Sequence, residues 1–148
     1  MSIFPARILL ATDGSGEADL AARTAVDIAN STNSELHVVH VGEFLPTFFA
    51  HTEIEPAQIE DEARKLLAGQ VDKVREIGGN VSEAHFRVGD AAREIVALAE
   101  ELDAGLIVLG SRGLGGVPRA LMGSVSDSVV RHAHCPVLIV RGARSGSR

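Results

Sequence analysis

Apolar positions along the chain alternate between two spacings, short consecutive runs and longer stretches with helical period. Arg7-Ile8-Leu9-Leu10-Ala11-Thr12 has an apolar centre and is closed by Asp13-Gly14-Ser15-Gly16, which reads as a strand, a turn and a helix start. Ala18, Ala21, Ala22, Ala25, Ile28 and Ala29 then recur at helical spacing to about Ser31, and their small size predicts a helix lying close against a sheet. Leu36 to Val41 is a second strand. From Pro56, Ile59, Ala63, Leu66, Leu67, Val71, Val74 and Ile77 trace one face of a helix that Gly78-Gly79 stops. Val81 to Val88 is a third strand, Gly89-Asp90 a turn and cap, and Ile95, Leu98, Ala99 and Leu102 the next helical face. Leu106 to Leu109 is a fourth strand. Val125, Val129 and Ala133 line a short helix, Pro136 prevents its continuation, and Val137 to Val140 is a fifth strand.

Strands alternating with helices predict right-handed crossovers and a mainly parallel sheet covered on both faces, a doubly wound α/β domain over residues 1–141 with a disordered tail over 142–148. The first, fourth and fifth strands are apolar throughout, whereas the third carries Glu83, His85 and Arg87 and reads as an edge. Ligands of such sheets sit beyond the C-terminal strand ends where the strand order reverses. That places the candidate site at Thr12-Asp13-Gly14 and the loop after Leu109.

Composition narrows the class. The chain has 148 residues, 45% of them hydrophobic and 23% charged, which suits a soluble globular domain with its own core and argues against disorder. No apolar run approaches the roughly 20 residues of a membrane helix, and the N-terminus lacks an export signal, so a cytoplasmic location without membrane association is expected. The single cysteine, Cys135, has no internal disulfide partner. Net charge is −6, but residues 1–105 hold 8 basic and 19 acidic side chains while residues 106–148 hold 6 basic and 1 acidic. An anion should therefore bind the C-terminal third. With no Trp, no Tyr and no basic run, a small phosphorylated ligand fits better than nucleic acid.

Residues 110–123 contain 5 of the 15 glycines. Glycines let backbone amides approach phosphate oxygens, and a helix starting at Gly123-Ser124 adds free donors and partial positive charge. Arg112 and Arg119 are candidate counter-charges, and the hydroxyls of Ser111, Ser124 and Ser126 candidate donors to phosphate. No Gly-Lys dipeptide exists for a Walker-type loop, and neither Gly14-x-Gly16 nor Gly113-x-Gly115 continues into a dinucleotide fingerprint.

The spacing Gly110-x2-Gly113-x9-Gly123-Ser124, with Asp13 after the first strand and His134-Cys135-Pro136-Val137 near the end, resembles the nucleotide motif of the universal stress proteins, specifically their ATP-binding branch. The resemblance spans nearly the whole chain. It implies a Rossmann-like, five-stranded sheet of order 3-2-1-4-5, and a cofactor, ATP with or without Mg2+, held by Thr12, Asp13, Val41, Gly110, Ser111, Arg112, Gly113, Gly115, Gly116, Gly123, Ser124, Val125 and Ser126. In that order the fifth strand is an apolar edge, and a homodimer through Val137–Val140 is expected. The function implied is a nucleotide-dependent regulatory module of the stress response, read by a protein partner whose identity is not encoded. A slow ATPase or self-phosphorylating enzyme, and a ligand-free interaction module, stay open beside it; no catalytic residues are assigned.

Other residues carry weaker signals of chemistry. His37 and His40 lie three apart in a strand, so they point to opposite faces and cannot share a metal; partly buried or surface positions are expected. His132, His134 and Cys135 offer three soft ligands within four residues, a poor closed zinc site. No Gly-x-Ser-x-Gly elbow occurs. Phe44, Phe48 and Phe49, directly after the second strand, read either as a lid or docking surface or as a loop folded onto the core.

Overall fold

In a computed structural model, which describes residues 6–13, 16–42, 56–111 and 123–142, five parallel strands form one sheet in the order β3-β2-β1-β4-β5. The elements run β1 (Arg7–Ala11), α1 (Gly16–Thr32), β2 (Glu35–Gly42), α2 (Pro56–Glu76), β3 (Val81–Val88), α3 (Ala91–Leu102), β4 (Leu106–Gly110), α4 (Ser124–His132) and β5 (Val137–Val140). The expected fold, strand order and edge position of β3 are all present. Residues 43–55, with the three phenylalanines, and residues 143–148 of the expected tail lie outside the described residues.

The alternation of side chains along the inner strands creates two apolar layers. Ile8, Leu10, Leu36, Val38 and Val108 meet the alanine face of α1 and the Leu67, Val71 and Val74 stripe of α2. On the other side, Leu9, Val39, Ile107 and Leu109 meet Ile95, Leu98 and Ala99 of α3 and Val129 of α4. The alanines of α1 are buried because a helix without bulky side chains approaches the sheet closely. At Gly79, just past α2, an added Cβ would lie 2.6 Å from Val74 Cγ1 and 2.8 Å from Val26 Cγ2, so only glycine fits where α2 returns towards α1.

One expectation needs correction. The α2 face is narrower than the apolar pattern suggests: Leu66 and Ile77 are exposed, while Gln70 is buried between Leu67 and Val74. The fifth strand is the apolar edge expected, half-buried with one sheet neighbour. Helix α3 begins as expected, with the Asp90 carboxylate accepting from the Arg93 amide, and ends at Asp103 in the left-handed conformation, φ 54°.

Candidate functional site

The chain moves outward from β1 to β2 and β3, then returns to place β4 on the other side of β1. The connections after β1 and β4 therefore diverge to opposite faces, the arrangement in which open parallel sheets form a ligand crevice beyond the C-terminal strand ends. Thr12 and Asp13 follow β1; Gly110 and Ser111 close β4; Val41 lies near the end of β2.

Thr12 is fixed on three sides. Its amide donates to the Val39 carbonyl, its carbonyl accepts from His40 Nδ1, and its hydroxyl donates to Gln70 Oε1, each at 3.0 Å. The last contact explains the buried glutamine: its amide group sits within an apolar helix face because a buried hydroxyl needs a partner there. Asp13, the next residue, is half-exposed at the crevice.

Ser111 is the junction of the opposite wall. Its amide donates to the Val140 carbonyl at 2.9 Å, and its carbonyl accepts from the Gly123 amide at 2.6 Å and the Ser126 hydroxyl at 2.8 Å. The two ends of segment 112–122 are thereby tied together, and the start of α4 is set beside the end of β4. The Ser111 hydroxyl donates to Glu17 Oε1 at 2.7 Å, and the other oxygen of that carboxylate accepts from the Gly142 amide at 2.6 Å. Glu17, in the first turn of α1, thus clasps the ends of β4 and β5. Gly110 permits the approach, since a Cβ there would lie 3.0 Å from Glu17 Cβ and 3.1 Å from its carbonyl oxygen. Gly142, read from the sequence as the start of a disordered tail, belongs to this clasp.

Gly123 caps α4 with extended backbone, φ −68° and ψ 161°, and offers no side-chain cap. The first-turn amides of Ser124 and Val125 carry the partial positive charge of the helix start. Ser124 is exposed, whereas Val125 packs against the apolar layer under α3 and α4.

Of the residues expected from sequence, Thr12, Asp13, Val41, Gly110, Ser111, Gly123, Ser124, Val125 and Ser126 gather at the C-terminal end of the sheet. Arg112, Gly113, Gly115, Gly116 and Arg119 lie outside the described residues. One detail differs: the Ser111 hydroxyl is committed to Glu17, and the buried Ser126 hydroxyl points to the Ser111 and Gly123 carbonyls. Of the three serines, Ser124 alone presents its side chain to solvent. Sequence reading missed Glu17, Gln70 and His40. A glutamine inside an apolar stripe signalled the second; Glu17 looked like an ordinary acidic residue at a helix start.

Among the described residues, no helix is long and apolar enough to cross a membrane. The model of the universal stress protein family matches residues 6–141. A universal stress protein of Methanocaldococcus jannaschii is 34% identical over 139 residues, covering 91% of this chain and 81% of that protein. Among solved structures, a universal stress protein in complex with cAMP aligns with a TM-score of 0.72 at 28% identity, covering 94% of this chain and 99% of that one. A universal stress protein from Archaeoglobus fulgidus in complex with dAMP aligns with a TM-score of 0.69 at 28% identity, covering 90% and 96%. The chain belongs to the universal stress protein family.

Proposed function

We propose, with family membership as the premise, that the crevice beyond β1 and β4 binds an adenine nucleotide, ATP with Mg2+ foremost, and that its occupancy regulates docking to a protein partner. The observation that carries this reading is the glycine-capped start of α4, held beside the end of β4 by the Ser111–Gly123 bond and lacking a side-chain cap. First-turn amides that no side chain caps are suited to a phosphate. The complexes of two relatives with cAMP and dAMP support adenine as the base.

In this reading the adenine lies by Val41, the ribose by Thr12 and Asp13, and the phosphates by the amides of Ser124 and Val125 and the segment Arg112 to Gly116. Ser111 and Ser126 act through the backbone they hold, and Ser124 supplies the hydroxyl. Mg2+ would offset phosphate charge, with the half-exposed Asp13 carboxylate on the same side of the sheet. The partner copy is expected at β5, whose outer edge is half-buried and wholly apolar.

The test is thermal unfolding with ATP, ADP, AMP and cAMP, using Ser124→Pro as comparator. Proline is tolerated at the first helical position, and the extended Gly123 backbone already suits a residue preceding proline. The variant therefore keeps the helix and removes the Ser124 amide donor together with its hydroxyl. Nucleotide at 100 times its dissociation constant should stabilise the wild type by about 2.7 kcal/mol. Loss of the amide hydrogen bond to a charged group, about 1.5 kcal/mol, together with that of the hydroxyl, should weaken binding at least tenfold in the variant. No stabilisation by any of the four nucleotides, or equal stabilisation of both proteins, would overturn the assignment.

A further inference from the structure

Towards the start of β2 and β3, away from the C-terminal crevice, three potential metal ligands converge. The parallel register sets His37 opposite Glu83 and Val39 opposite His85, with an irregularity between Leu36 and His37. Glu83 and His85 are two apart on one strand and share a face. His37 Nδ1 lies 3.1 Å from His85 Nε2, His85 Nε2 lies 3.7 Å from Glu83 Oε1, and one ligand atom from each of the three residues falls within 4.8 Å of the others. The two rings stack with centroids 5.4 Å apart. On the far side of its ring, His37 Nε2 meets Glu35 Oε1 at 3.1 Å.

We propose that His37 Nδ1, His85 Nε2 and the Glu83 carboxylate form a binding site for a divalent transition-metal ion, Zn2+ by donor set, with Glu35 as the residue that positions His37. Tetrahedral donors around zinc at bond lengths near 2.0–2.1 Å are separated by about 3.3 Å, so the His37–His85 and His85–Glu83 spacings need shifts of a few tenths of an ångström, and the exposed Glu83 carboxylate, within 4.8 Å of the other donors, must swing towards His37 to close the third side. Glu35 accepts the Nε2 proton of His37, which leaves Nδ1 as the lone pair facing the cluster. Burial, the largest influence on His85, lowers its basicity and favours the neutral ring that ligates metal, although Glu83 opposes this. The His37 hydrogen bond likewise holds the Glu35 carboxyl below its usual range.

The surroundings fit a cation. Glu83 contributes negative charge, the Glu35 carboxylate is shared between His37 and Arg7, whose Nε lies 3.4 Å from Oε1, and the nearby Arg87 guanidinium is paired with Glu101 at 2.7 and 3.2 Å. His37 is buried, whereas Glu83 is largely exposed. The ion would enter from the Glu83 side and keep a fourth position for water, the pattern of two histidines and one glutamate used by open zinc sites. Without metal, His85 Nε2–H donates to His37 Nδ1, and the same residues form a hydrogen-bonded chain.

The full chain, stripped with a chelator, should be titrated with Zn2+ by calorimetry and with Co2+ by visible absorption, which reports coordination by its d–d bands. One ion per chain is expected. His85→Gln and Glu83→Gln should each weaken binding at least tenfold and change the Co2+ spectrum, and Glu35→Gln should weaken it about tenfold while keeping the spectral type. His134→Gln, which alters a histidine paired with Glu100 outside the cluster, should leave affinity unchanged. Glu83 is exposed, so its variant tests the site even if His85→Gln impairs folding. No saturable binding, or equal affinity in wild type and Glu83→Gln, would overturn the proposal in favour of the hydrogen-bonded chain.

Discussion

Replacing Glu17 with alanine should loosen the end of the sheet that frames the crevice. The carboxylate accepts from the Ser111 hydroxyl at 2.7 Å and the Gly142 amide at 2.6 Å, joining α1, β4 and the residue after β5 through one side chain. Hydrogen bonds to charged groups contribute about 1.5–3 kcal/mol, and the part-buried setting places each at the lower end. Removal leaves the buried Ser111 hydroxyl without its acceptor, so the loss should be about 2–3 kcal/mol. Glu17→Gln retains the shape: its Oε1 accepts from Gly142 and its amide donates to the rotatable Ser111 hydroxyl. It should cost about 1 kcal/mol, the loss of charge assistance. Urea unfolding of Glu17→Ala, Ser111→Ala and the double variant gives the coupling directly; about 1–1.5 kcal/mol is expected for two groups in contact. Additive single effects within about 0.3 kcal/mol, or a Glu17→Ala loss below about 0.5 kcal/mol, would refute the clasp.

Other perturbations follow from the same structure. Gly69 lies on an exposed turn of α2 with nothing within 4 Å of an added Cβ, so Gly69→Ala should stabilise by about 0.5–1 kcal/mol; Gly79→Ala, facing Val74 and Val26 at 2.6 and 2.8 Å, should destabilise by about 1–3 kcal/mol in urea unfolding. Burial pushes the Cys135 thiol above its ordinary pKa. Alkylation should be slower than for an unfolded reference near that ordinary value, with the gap closing at higher pH. By linkage, this group's contribution to stability falls as pH rises through its folded pKa, because the unfolded thiol gives up its proton first. If β5 pairs with a second copy, Val137→Lys and Ile139→Lys should convert a dimer to a monomer in sedimentation equilibrium with helical content retained; a wild-type monomer at micromolar concentration counts against that interface.

Much of the fold was legible because its signals are local. Consecutive apolar residues marked β1 and β4, charges at Glu83, His85 and Arg87 marked an edge, and Asp90 marked the start of α3. The glycine segment located the crevice because a parallel sheet of this connection pattern exposes its β1 and β4 ends together. The connections that finish the site are long-range: Glu17 meets Ser111 and Gly142 across 94 and 125 positions, and Thr12 meets Gln70 across 58. Sequence period cannot specify such pairs. His37 was correctly placed on the face opposite His40, yet beside Glu35 of its own strand it meets His85 and Glu83 of β3, through a register altered between Leu36 and His37. A histidine at that position reads as an isolated polar residue until the neighbouring strand is aligned beside it.

An adenine nucleotide in the crevice should travel with the purified protein or be captured by it. Freshly purified wild type and Ser124→Pro should be denatured and the released small molecules identified by liquid chromatography with mass spectrometry, before and after incubation with ATP and Mg2+ and removal of free ligand. An adenine nucleotide approaching one per chain is expected in the wild type and markedly less in the variant. Wild type that carries none even after incubation with ATP, or equal loading of the two proteins, would contradict it.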